Sequence, residues 1–306
     1  MKRVIIFLGV LVAVNASGQQ DPQYSLYQFN QLIINPAYAG SRDGLSVNLA
    51  TRQQWTGFSG APQTHCMSLH GPIANKNLGL GLTVVNDIMG PRNVIGAYGN
   101  VAYMLKLAPQ TRLSLGLNAG YNRYQFNFSK IDFKSDGEVP ANLPQSIGTL
   151  DINGGMYLNG GSYFVGVSAT HLNTPSVYTY EANVGNGKFT YRLRTHLFIT
   201  AGKSFVINEH LIFAPTVLVK LVGSDVNPDL NLNFFLYKKL WLGAFYRYGY
   251  GPGGLIQYYV TNKLRVAYSY DTGLNDARRL GGSHEVMVGY DFSRITKSRV
   301  VNPRFL

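Results

Sequence analysis

From Leu45 to Phe292 the sequence repeats one unit, roughly ten residues that alternate apolar with small or polar, followed by a break. The breaks themselves alternate in length. Ala108-Pro109-Gln110, Asn159-Gly160-Gly161 and Val206–Glu209 are tight, whereas 123–147, 172–188 and 221–228 are longer. Period-two alternation specifies strands with two unlike faces. Alternating short and long connections specify strands that run up and down through a layer, with minimal turns on one side and reaching loops on the other.

The cleanest strand sets Leu113, Leu115, Leu117, Ala119 and Tyr121 against Arg112, Ser114, Gly116, Asn118 and Gly120. Leu150, Ile152, Met156 and Leu158 oppose Asp151, Asn153 and Tyr157. Tyr191, Leu193, Leu197 and Ile199 oppose Arg192, Arg194 and His196, and Leu211, Phe213, Val217 and Val219 form a ninth strand. The full reading is all-β, a transmembrane up-and-down antiparallel β-barrel of about 14 strands, an even number as expected of single-chain bacterial barrels. A soluble sandwich has the same rhythm, but here the polar face carries Gly, Asn, Ser and Arg rather than Lys and Glu, so it reads as enclosed. Tyr residues gather toward strand ends, as interface girdles do. An Arg facing lipid at mid-membrane costs about 2–4 kcal/mol. Arg52, Arg112, Arg192, Arg194, Arg247 and Arg265, with Asp151, Asp271, Glu285 and Asp291, are therefore expected to face the lumen. There they serve either as ion pairs or as the lining of an anion-selective pore.

Met1-Lys2-Arg3 followed by the apolar run Val4–Val14 and the small residues Ala16-Ser17-Gly18 reads as a signal peptide over residues 1–18. No apolar run is long enough to cross a bilayer as a helix, so insertion must use strands. Only 14% of residues are charged while 13% are aromatic, with 21 Tyr, a balance that suits a barrel better than a soluble domain. The net charge of +12 points to anionic lipid headgroups or lumenal pairing rather than to nucleic acid. Arg278 and Arg279, in the last long break, are candidates for contact with lipopolysaccharide phosphates or a surface partner.

Catalytic and cofactor signals are weak. Gly249-Tyr250-Gly251-Pro252-Gly253-Gly254 has the spacing of a dinucleotide fingerprint, but a strand rather than a helix follows it, and Pro252 removes a backbone donor. The six His (His65, His70, His171, His196, His210, His284) are scattered in sequence without metal-ligand spacing. No metal, no cofactor and no enzymatic activity are expected.

At residues 21–62 the sequence carries Asp21-Pro22-Gln23-Tyr24-Ser25, Tyr27-Gln28-Phe29-Asn30, Asn35-Pro36-Ala37-Tyr38-Ala39-Gly40-Ser41, Arg52-Gln53-Gln54-Trp55 and Gly60-Ala61-Pro62. Gly79-Leu80-Gly81, Asn86-Asp87, Gly90-Pro91 and the tail Val300–Phe305 follow. Together these resemble the PorP/SprF family of outer-membrane proteins of the Bacteroidetes type IX secretion and gliding machinery. The resemblance implies a barrel that helps one or a few secreted surface proteins, adhesin-like, to be exported or attached at the cell surface. A passive or substrate-specific channel for small solutes is the alternative. The implied organisation is a pre-barrel segment over 19–43, the barrel over 44–292 and a periplasmic tail over 293–306, with both termini periplasmic. Pro22 and Pro36 fix extended local backbone, and Asn30 and Asn35 can bond neighbouring backbone. The pre-barrel segment therefore either packs into the lumen or its periplasmic mouth, or touches the partner directly. Asn30, Asn35, Pro36, Tyr38 and Trp55 are the candidate partner-binding residues.

Overall fold

The computed structural model describes residues 21–74, 76–127, 146–181, 188–274 and 279–292. The expected signal peptide, Arg278 and the C-terminal tail lie outside them. Strands β1 (Ser46–Gln53), β2 (Gln63–Pro72), β3 (Leu78–Met89), β4 (Arg92–Ala108), β5 (Thr111–Phe126), β6 (Ser146–Asn159) and β7 (Tyr163–Thr170) pair antiparallel in chain order. β8 (Ser176–Glu181) and β9 (Lys188–Arg192) form a separate two-stranded sheet. The wall resumes with β10 (His196–Lys203), which runs on into β11 (Phe205–Asn208). β12 (Leu211–Phe213) and β13 (Thr216–Val222) are one strand interrupted at Ala214-Pro215, where Pro215 has no N–H to give the ladder. β14 (Asp225–Leu236), β15 (Leu240–Arg247), β16 (Gly251–Tyr259), β17 (Leu264–Asp271) and β18 (Ser283–Asp291) complete the circuit. β18 pairs with β1, Ser46 opposite Asp291 and Gln53 opposite His284. With β10–β11 and β12–β13 each taken as one strand, this is a closed antiparallel barrel of 14 strands. Closure leaves no sheet edge, which is what allows strands to cross a bilayer.

The two faces divide as alternation requires. In mid-strand β5, Leu117 is 58% exposed outward while Ser114 is 2% exposed inside. Leu117 lies opposite Val101 of β4 and Gly154 of β6, and Val101 is itself exposed, part of a continuous apolar outer band. Outward Tyr258 and Tyr290 lie near one end of the wall, and Tyr246 and Tyr270 near the other.

The end at which β1 begins and β18 finishes is the turn end; the opposite one, carrying the excursions 54–62, 171–195 and 272–282, is the loop end. The 221–228 break, expected to be longer, is tight, β13–β14 turning on Gly223-Ser224; β3–β4 likewise turns on Gly90-Pro91 and β15–β16 on 248–250. Gly90 (φ +54°) and Gly223 (φ +59°) supply the left-handed backbone these turns require. The strands accordingly run further than their apolar alternation suggests, and β4 reaches 17 residues. The eighth strand also differs from expectation. Tyr191 and Arg192 end the separate β8–β9 hairpin, and the wall restarts only at His196. Val177 and Leu193 of this excursion are buried against Tyr124 on the inner face of β5, so the excursion folds over the lumen mouth.

Candidate functional site: plug and vestibule

Residues 21–43 do not stand outside the wall. They run through the barrel from the loop end, where Asp21 meets His171 and His196, to the turn end, where Arg42 pairs with Asp291. Three short 3-10 turns, Tyr27–Phe29, Gln31–Ile33 and Pro36–Tyr38, compact the segment into a plug. Local sequence dictates the last turn. Pro36 opens it with its preset φ, and Asn35 Oδ1 accepts from Ala37 N–H at 2.9 Å.

The turn-end half of the lumen holds a large apolar cluster beside the ion pairs of Asp291. Leu26, Phe29, Leu32 and Tyr38 of the plug are buried in one cluster with inward Tyr157, Phe164, Phe235, Trp241, Phe245 and Met287. Phe29 meets Trp241 edge-on at 6.1 Å, and Tyr38 is held between the rings of His70 (5.2 Å) and Tyr157 (5.4 Å). Two wall glycines admit the plug backbone. A Cβ on Gly116 would collide with Pro36 and Ala37, and one on Gly79 with Ala39 and Gly40.

Toward the loop end the fastening is ionic. Glu285 accepts from the N–H groups of Ser25 (2.6 Å) and Leu26 (3.3 Å) and pairs with Arg52 at 3.3 Å. Arg52 also pairs with Asp271 at 2.9 Å and donates to Ser25 Oγ. Arg247 bridges Asp229 (2.9 Å) and Asp271 (3.1 Å) and donates to the Tyr24 carbonyl. At the turn end, Arg265 joins the Arg42–Asp291 pair, 2.7 Å from Asp291. Each of these buried charges thus has an opposite charge and further hydrogen bonds, the condition under which ions are tolerated away from water.

At the outermost level Asp21 Oδ1 lies 2.7 Å from His171 Nε2, Asp21 Oδ2 lies 3.1 Å from His196 Nδ1, and Asp151 Oδ2 lies 2.9 Å from His171 Nδ1. Burial alone would lift the Asp21 carboxyl, but the two imidazoles hold it well below the usual carboxylate range. Burial alone would depress His171, but Asp21 and then Asp151 hold it up at about 10. Above the plug lies a two-lobed vestibule, with cavities of about 480 and 120 Å³. Asp21, Tyr24 and Ile34 form its floor, and Trp55, Arg92, Lys220, Tyr248 and Tyr250 its walls.

The sequence matches the family model of the type IX secretion system membrane protein PorP/SprF over residues 16–290. The chain belongs to the PorP/SprF family. It is an outer-membrane β-barrel, and its family ties it to the type IX secretion system. No curated protein is similar to it in sequence. Among solved structures, a TodX monoaromatic hydrocarbon channel deltaS2 mutant shares the fold, with a TM-score of 0.50 at 10% identity, covering 87% of this chain and 94% of that one. A Pseudomonas aeruginosa FadL homologue gives 0.48 at 12% identity, covering 89% and 95% of the two chains. The Pseudomonas putida toluene transporter TodX gives 0.47 at 9%, covering 87% and 93%.

In this PorP/SprF barrel the residues singled out from sequence fall into distinct places. Asn30 accepts from Ser68 Oγ at 2.7 Å, Asn35 donates to the Met156 carbonyl at 3.0 Å, and Pro36 and Tyr38 are buried, all within the plug. As placed, none of these four presents a surface to a partner. Trp55 alone of the five lies at the loop end, half-buried on the vestibule wall, its backbone N–H donated to Ser283 Oγ. Arg52, Arg247, Arg265, Asp151, Asp271, Glu285 and Asp291 are buried inside the barrel. Arg112 has their inward parity but is exposed at the turn-end rim. Arg192 and Arg194 depart from expectation. They flank Leu193 outside the wall and are exposed, because Leu193 rather than either Arg turns toward Tyr124. Arg279 is exposed in the last excursion. Gly251–Gly254 belong to β16, all in register with β15 and Gly253 and Gly254 also with β17, not to a phosphate loop.

Two expectations change. The ends of the wall share one side, but the described chain begins with Asp21 at the other, because the plug traverses the lumen before β1. The six His are also not all scattered, since His171 and His196 face each other at 5.7 Å. Their spacing of 25 carried no signal; adjacency came from β7 and β10 pairing across the β8–β9 excursion. Sequence reading also missed Trp241, Phe245, Phe235 and Met287 as inward groups, because each alternates with outward apolar neighbours.

Proposed function

We propose that this barrel is a non-catalytic accessory of type IX secretion that assists the export or surface attachment of a secreted, adhesin-like partner, received at the vestibule. The observation that carries this reading is the plug, which packs the lumen at the turn end against aromatic wall residues and leaves a roomy, mixed aromatic and cationic basin at the loop end. In this reading the loop end faces outward, Ser46 and Asp291 lie on the periplasmic side, and outer-membrane lipid and lipopolysaccharide surround the wall. A channel for small solutes would need the plug to leave, against buried ion pairs and apolar packing, so the closed interior favours the accessory role.

The test places a photo-crosslinking residue at Trp55 and, separately, at Leu117 on the lipid face, in cells expressing the full chain. The expected result is one dominant secreted surface protein crosslinked from position 55 and not from 117, together with release of that protein into the medium when the barrel is deleted. Steady single-channel conductance of the wild-type protein, with unchanged surface retention on deletion, would overturn the proposal in favour of the channel.

A further inference from the structure

We propose that Asp21, His171 and His196 form a zinc site that pins the plug to the barrel wall at the loop end. The three residues come from separate parts of the chain, and their ligand atoms all lie within 4.8 Å of one another. Tetrahedral zinc binds imidazole nitrogen and carboxylate oxygen at about 2.0–2.2 Å, which spaces donor atoms about 3.3 Å apart. The separations here, 2.7 Å for His171 Nε2 to Asp21 Oδ1 and 3.1 Å for His196 Nδ1 to Asp21 Oδ2, need only small adjustment.

Three further observations point to a cation rather than to a hydrogen-bonded triad. His196 is 1% exposed, and its Nδ1, although 3.1 Å from Asp21, makes no hydrogen bond there. A buried ring nitrogen that faces a carboxylate oxygen without a hydrogen bond sets two lone-pair-bearing atoms against each other, an opposition that a shared cation relieves. Next, Asp151 Oδ2 lies 2.9 Å from His171 Nδ1, the nitrogen that faces away from the cluster, within reach of it although not aligned as a hydrogen bond. A carboxylate on the far nitrogen of a histidine is the usual device for orienting a metal-bound imidazole and raising its basicity. Finally, Asp21 and His171 line the smaller lobe of the vestibule, so a fourth position is open to water. Two imidazoles and one carboxylate favour zinc over calcium or magnesium, which take oxygen ligands. A divalent ion also balances the two carboxylates of Asp21 and Asp151.

Structurally the ion would tie the start of the plug, at Asp21, to the ends of β7 and β10. This extends the fastening already supplied by Glu285 and Arg42, and it does not depend on which partner the vestibule receives.

The test uses the full-length protein, purified in detergent, stripped with a chelator and titrated with Zn2+ alone against a chromogenic competitor. Co2+ serves as a spectroscopic probe. The expected result is one Zn2+ per chain and, on Co2+ loading, the intense visible bands of a tetrahedral site. Asp151→Asn should weaken binding by about 10- to 100-fold, His196→Gln by more, and His210→Gln, in an exposed turn, not at all. Heat-modifiable gel mobility verifies that each variant is a folded barrel. If a variant fails to fold, the Co2+ spectrum of the wild type decides alone. Absence of tetrahedral bands, equal affinity of His196→Gln and wild type, or Ca2+ competing on equal terms would each overturn the site.

Discussion

Replacing Glu285 with Gln separates fastening of the plug from stability of the wall. The carboxylate takes the N–H groups of Ser25 and Leu26 and one Arg52 nitrogen. Gln keeps the shape and one acceptor but presents an NH2 group where the second oxygen was. Arg52 is not orphaned, since Asp271 remains at 2.9 Å, so the penalty stays at the plug. One backbone N–H is then left buried without an acceptor, worth about 1–3 kcal/mol, and the surviving bond falls from charge-assisted to neutral strength, a loss of about 1 kcal/mol. The total of about 2–4 kcal/mol corresponds to exchange of the Ser25 and Leu26 amides about 30- to 700-fold faster, at about 1.4 kcal/mol per tenfold. Hydrogen-exchange mass spectrometry on a peptide covering the first plug turn, in lipid nanodiscs, reads this directly. Asp87→Asn is the control, because it breaks the wall–wall contacts to Arg92 and Thr64 and no hydrogen bond to the plug. Ser25 and Leu26 protection within about threefold of wild type, or equal loss across β1 and β18, would refute the reasoning.

Gly116→Val inserts a side chain where Pro36 and Ala37 now pass, so the plug should shift and single-channel recordings should show conductance steps that the wild type lacks. Tyr38→Ala empties the space between His70 and Tyr157 and should cost about 3–5 kcal/mol of plug docking, read as accelerated protease cleavage between residues 24 and 43 with the barrel intact. Leu117→Arg places a charge on the outer face in mid-strand, at about 2–4 kcal/mol, and should lower the yield of folded barrel in lipid vesicles; Leu117→Phe should not.

The wall was legible because its code is binary and local. Strand β5 could be read residue by residue from Arg112 to Tyr121, since each outward Leu is followed by a Ser, Gly or Asn. The code fails where both faces are apolar. Along β15, Trp241 and Phe245 point inward between outward Leu240, Leu242 and Tyr246, and nothing in the alternation separates such a strand from a uniformly apolar run. The same limit hid the plug. Residues 21–43 carry no long period, because three short 3-10 turns have none, and their apolar residues match partners that are themselves unrecognised. Gly79 and Gly116 were visible as small residues on the polar face, but only the position of Ala37 and Ala39 tells why a larger residue is excluded. Arg192 and Arg194 were misplaced because a short hairpin with period-two alternation looks like one more wall strand until its pairing is known.

The distribution of apolar surface explains why the plug belongs to the fold while the vestibule, in the proposed function, is left for a partner. In a membrane barrel the outer apolar groups are satisfied by lipid, so aromatic side chains pointing inward gain nothing unless something apolar fills the lumen beside them. Trp241, Phe245, Tyr157 and Phe164 form such a surface at the turn end, and Leu26, Phe29, Leu32 and Tyr38 cover it. Near the loop end the inner face changes character, to Asp87, Arg92, Lys220 and Asp229 around open space. Groups of that kind lose little by facing water and can trade it for a partner. A bound partner that releases the plug must therefore first undo the outer contacts at Asp21 and Ser25, and only then the apolar cluster. Mutations at the loop end should change how readily the plug moves, and those at the turn end whether the barrel holds it at all.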